Sequence, residues 1–185
     1  MHPRTEEVLK YLDDCRADLR AAVDLVPKEA RDNQPGPDRW SVAQVLDHLA
    51  ITHGRVAKGV GKWIAEAQAT GLGPETATSS VLSTIPTPLI LDRSRKFDAP
   101  KEILPQSNVD AETAWTQLEQ AHAELCAAFL TGDGLALEEV IRPHPVLGPI
   151  NIYQWVLFDG SHQARHTLQV REIAEGFKSA AEATA

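Results

Sequence analysis

Four stretches of this chain place apolar residues three and four positions apart, and that spacing confines the fold to packed amphipathic helices. In the first, about Thr5 to Arg31, the stripe is Val8, Leu12, Cys15, Leu19, Ala22 and Val26. Thr5 is placed to cap its start, Glu6 and Glu7 suit the helix dipole, and Pro27 predicts a kink or a stop. The second begins at the N-cap Ser41, buries Val42, Val45, Leu46, Leu49 and Val56, and runs to about Ala69. Gly54, Gly59 and Gly61 weaken its middle by about 1 kcal/mol each relative to alanine. The third spans about Asp110 to Leu130, with Trp115, Leu118, Leu125 and Phe129 on its apolar face and Gly132 and Gly134 after its end. The fourth opens at Asn151, a good N-cap, and continues to about Gly176.

The segments between these helices read differently. Asp32 to Asp38 is a dense breaker cluster. Residues 70–109 carry five prolines and no sustained period, so they are expected to cross the bundle or cover its open end. Strand-like alternation is weak, at most a short piece around Ser80 to Ile85. A helical turn is expected over Leu135 to Val140, then a rigid extended connector from Arg142 to Pro149. The Ala-rich tail, Lys178 to Ala185, is expected to fray. The prediction is an all-α protein: a single domain over residues 1–185 (core about 5–176), a four-helix bundle with one long crossover loop.

Composition narrows the function. A formal net charge of -8 disfavours a phosphate backbone as partner, so no nucleic acid is expected. No apolar run approaches the ~20 residues of a membrane span, and the start has no apolar signal stretch. A cytoplasmic protein that does not enter the membrane is expected. Cys15 and Cys126 lie inside helical patterns and read as buried thiols rather than a disulfide or nucleophiles.

The chemistry concentrates on the fourth helix. His162 and His166, four residues apart, stack on one face, where two imidazoles can share a metal ion. Spacing alone is weak evidence, and Gln163 stands where a zinc protease needs its glutamate. The same stripe reads Trp155, Asp159, His162, His166, Gln169 and Ile173, apolar at its ends and polar in its middle. Either that middle is a solvated face, or something buried satisfies it, as a metal would. A third ligand must come from another helix. His48 sits at the edge of the second helix's buried stripe, with Thr52 and Arg55 on the same face. His122 is its rival but reads more naturally as a hydrogen-bonded core histidine, His53 as a surface residue, and His2 and His144 have no helical context. Glu119 to His122 and Asp159 to His162 have the carboxylate-x-x-His spacing of di-iron bundles, without further inward glutamates.

Arg39-Trp-Ser-Val-Ala-Gln-Val-Leu-Asp-His48-Leu resembles the second-helix motif of the DinB-like superfamily. Lys96 to Pro105 resembles its middle loop, and His144 to Trp155 followed by His162-Gln-Ala-Arg-His166-Thr-Leu-Gln169 resembles its last connector and fourth helix. The likeness spans about residues 5–175. It implies an up-up-down-down-like bundle, often a homodimer, with a divalent metal (zinc, nickel or iron) on His48, His162 and His166. Relatives include transferases and isomerases that use a low-molecular-weight thiol, and others described as metal-dependent hydrolases without a known substrate. The expectation is a metal-dependent enzyme acting on a small-molecule substrate. In it Asp159 is a metal-site partner or proton acceptor, and Arg55 or Arg165 receives an anionic group. The alternative is a metal-binding module without turnover.

Overall fold

The computed structural model describes residues 1–94, 100–106 and 108–182, the last three by backbone alone. Four long helices form the bundle: α1 (Pro3–Asp24), α2 (Val42–Ala69), α4 (Ala111–Leu130) and α5 (Ile152–Glu182). A short α3 (Thr87–Leu91) and a hairpin of β1 (Ile141–His144) and β2 (Gly148–Asn151) complete the regular structure among the described residues. The most extensive packing joins α2 to α4 and α1 to α5, and α2 also meets α5.

Helix ends follow local chemistry. Ser41 caps α2 in a reciprocal capping box, its Oγ accepting from the Gln44 amide while Gln44 Oε1 accepts from the Ser41 amide. Asn151 and Gln154 make the same exchange at the start of α5. Asp110 caps α4. α1 starts earlier than expected: Pro3 occupies the first turn, where its missing N–H costs nothing, and His2 Nδ1 rather than Thr5 accepts the first amide. α1 stops at Asp24, and a single helical turn, Lys28–Ala30, follows Pro27. α5 runs on to Glu182, past Gly176, because the residues beyond it are good helix formers; 183–185 lie outside the described residues.

Two expectations for the connections need correction. Residues 80–85 hold a helical turn, Leu82–Thr84, rather than a strand. The extended connector at 142–149 is instead an antiparallel hairpin, with Ile141 opposite Asn151 and His144 opposite Gly148. Pro143 faces Pro149, which a two-stranded ladder tolerates because alternate facing pairs exchange no hydrogen bonds. Gly148 takes φ 73, and His144 Nδ1 accepts from the Val146 and Leu147 amides, so the turn is closed by its own histidine.

The core comes in two apolar blocks. One is built on Leu12, Ile64, Phe129, Tyr153 and Val156, the other on Leu19, Leu46, Leu49, Leu118 and Ile173. Between the two blocks each long helix places polar or small residues: Cys15 on α1, His53 on α2, His122 on α4, and Asp159 to Thr167 on α5. Most of these are buried. Burying such groups is costly unless they are partnered, so this layer is where function is to be sought.

Candidate metal centre

His48 on α2 and His162 and His166 on α5 bring three imidazoles together at the edge of this layer. Nε2 of His162 lies 3.3 Å from Nε2 of His48 and 3.2 Å from Nε2 of His166. His48 and His166 are buried and His162 is half-buried. Trp40, the residue before the α2 cap, packs 5.0 Å from His48 and stacks on His166, while Phe158 stacks on His162. The capping box that starts α2 therefore also fixes where one wall of the site stands.

Two of the outer nitrogens are spoken for. The Ile103 carbonyl can only accept, so His48 Nδ1 donates to it at 2.7 Å. His166 Nδ1 lies 2.8 Å from Gln169 Oε1, which likewise accepts. Both rings are thus held in the tautomer that leaves Nε2 as a lone pair facing the centre. Burial keeps all three rings neutral. It lowers the pKa of His48, carries His166 down to about 3, and sets His162 well below its ordinary value, with His166 and His48 adding to the last effect. Three convergent acceptors with at most one proton among them are poorly satisfied by one another. A cation satisfies them all.

The spacing fits that cation. Two ligands held about 2.0–2.1 Å from one ion at the tetrahedral angle stand about 3.3–3.4 Å apart. The 3.3 and 3.2 Å separations match this closely. Three histidines can hold a divalent metal and leave a coordination position for another ligand. Among the described residues no other group of three histidine, cysteine or acidic side chains is arranged to do so.

Other site expectations fall elsewhere. His53 is not on the surface but 0% exposed, because α2 is covered by α4 on one side and α5 on the other. Its Nδ1 lies 3.1 Å from Asp159 Oδ2. Asp159 therefore lies against His53, not a ring of the triad, and burial raises its carboxyl to about 8. The partners of the triad are the Ile103 carbonyl and Gln169. Gln169 was visible on the α5 stripe; a backbone carbonyl from the crossover carries no local signal. Arg165 is buried and donates to the carbonyls of Ile90 and Asp92 at 2.9 and 2.6 Å, tying the crossover to α5. Arg55 is exposed.

His122 is the core histidine expected, with Nε2 3.1 Å from Asp13 Oδ1. Glu119 turns outward to pair with Arg16, so the carboxylate of the di-iron pattern is missing from α4's inner face. Cys15 and Cys126 are free, and burial pushes both thiols up to about 11, which suits neither as a nucleophile. No helix among the described residues is long and apolar enough to cross a membrane. Of the middle-loop motif, Lys96 to Ala99 lie outside the described residues.

A family model described as the DinB superfamily matches residues 11–170. The uncharacterized protein YuaE of Bacillus subtilis (strain 168) is 26% identical over 153 residues, covering 82% of this chain and 88% of that protein. No solved structure gives a significant match.

Proposed function

Since the chain belongs to the DinB superfamily, we propose that it is a metal-dependent enzyme acting on a small molecule, a hydrolase or a thiol-dependent S-transferase. The observation that carries this reading is the convergence of three neutral Nε2 atoms, with two of the rings locked from behind. A divalent ion bound there, zinc, nickel or iron, would act as a Lewis acid and lower the pKa of a bound water or thiol.

The chain's own residues do the rest. Ile103 and Gln169 hold His48 and His166 in their binding tautomers. Trp40 and Phe158 wall the rings against water and fix their planes. Neither cysteine is activated, so in the transferase version the nucleophilic sulfur comes from a low-molecular-weight thiol rather than from the protein. A homodimer is part of the proposal, and the solution mass tests it.

The test is a turnover panel on protein reconstituted with zinc, nickel or iron(II). Ester, amide and electrophilic thiol-acceptor substrates are each offered with and without a small thiol. Turnover lost in His162→Ala supports the enzyme, and its dependence on thiol separates transferase from hydrolase. The burial of His48 and His166 favours a second reading, a metal-binding module without turnover. Bound metal with no reaction across the panel would support that module.

A further inference from the structure

Two adjacent residues near the start of α2 reach the same short strap of the crossover. Asp47 Oδ2 accepts from the Gln106 amide at 2.5 Å, and His48 Nδ1 donates to the Ile103 carbonyl at 2.7 Å. The strap is compact: Lys101–Ile103 form a helical turn that closes with the Leu104 amide donating to the Lys101 carbonyl. Asp47 is 2% exposed, and a carboxylate buried that deeply is costly without a donor. The donor that reaches its Oδ2 is the strap amide.

The Ile103 carbonyl does more than fill a hydrogen bond. Imidazole has two neutral tautomers, and only the one with its proton on Nδ1 leaves Nε2 free for a metal. Without the carbonyl, His48 can place its proton on Nε2 and donate it to the lone pair of His162 Nε2, 3.3 Å away. The two rings would then satisfy each other, and a metal would have to displace that proton. Holding the strap in place therefore keeps the His48 proton on Nδ1 and out of the centre.

We propose that Asp47 is a positioning residue for the metal site: through the Gln106 amide it fixes the strap whose Ile103 carbonyl sets the tautomer of His48. The coupling is reciprocal. A metal on Nε2 makes the Nδ1 proton obligatory, so binding strengthens the bond to Ile103 and holds the strap more firmly. Metal binding protects the Gln106 amide from hydrogen exchange even though Gln106 does not touch the triad.

The inference rests on His48 being a metal ligand, but its first test needs no metal. Long-range proton–nitrogen NMR of the metal-free protein reads the His48 tautomer directly. Wild type and Asp47→Asn, which keeps an acceptor oxygen, should show the Nδ1–H form; Asp47→Ala should show a mixture. Zinc affinity, measured by competition with a chromophoric chelator, should fall about 10–100-fold in Asp47→Ala and hold in Asp47→Asn. If Asp47→Ala does not fold, Gln106→Pro removes the same amide from the strap side and should act alike. An unchanged tautomer with affinity within about twofold, in whichever of the two variants folds, overturns the proposal. Failure of wild type to bind zinc, with the tautomer moving as described, would instead count against the metal reading alone.

Discussion

Replacing Gly160 by alanine should destabilise the protein, although a helix interior ordinarily gains from that change. Gly160 lies within α5, between the buried Asp159 and Ser161. On helix propensity alone Gly→Ala stabilises by about 1 kcal/mol. Yet a Cβ there would stand 2.7 Å from Cε1 and 3.1 Å from Cδ1 of Tyr11, and 3.2 Å from Cδ2 of Leu12. Tyr11 cannot swing aside freely, since its hydroxyl is bonded to Ser161 Oγ at 2.8 Å and Ser161 is 0% exposed. Leu12 is buried in the core. Overpacking of this kind costs about 1–3 kcal/mol, and a tethered ring puts this case in the upper part of that range. The net loss is about 1–2 kcal/mol, or about 2–8 °C in Tm for a chain of this size. Thermal and urea unfolding measure it. In a Tyr11→Leu background the ring is gone, and Gly160→Ala should lose most of its penalty. A higher Tm for Gly160→Ala in the wild-type background would refute the claim that α1 and α5 approach this closely.

Other expectations follow from the same structure. Arg165→Gln strips the carbonyls of Ile90 and Asp92 of a charged donor, which should cost about 1.5–3 kcal/mol and speed proteolysis within 87–94; unchanged cleavage and stability would contradict an anchoring role. Asp159 gives a pH signature: burial raises its carboxyl to about 8, so the native state keeps a proton that the unfolded chain releases above about 4. Stability from that group is full below the unfolded value and is lost as pH rises toward the folded one. Asp159→Asn should therefore gain on wild type between about pH 5 and pH 8 in urea unfolding of metal-free protein; an equal difference at both would sink the assignment.

The bundle was legible because helical period is a local property. The stripes of α1, α2, α4 and α5, the caps at Ser41 and Asn151, and the irregular crossover were all written in spacings of a few residues. The polar middle of the α5 stripe was legible too, and it marks the layer between the two apolar blocks. What escaped is what depends on tertiary neighbours. His53 lies off the single apolar stripe of α2 and so reads as superficial, whereas that helix is covered on two sides. Asp159 sits one turn before His162 in sequence, but its carboxyl lies against His53 across the bundle. The hairpin at 141–151 was hidden by its prolines, and its turn depends on the His144 ring and a glycine with positive φ. The Ile103 carbonyl could not be foreseen at all, since every residue has one.

Elemental analysis of untagged protein, set beside His48→Ala, His162→Ala and His166→Ala with circular dichroism as the control for folding, decides whether the three histidines hold a metal. About one transition-metal ion per chain is expected in wild type, with most of it lost in each variant while helicity persists. Wild type that stays metal-free after reconstitution with zinc, nickel or iron(II), or variants that keep a full equivalent, would contradict it.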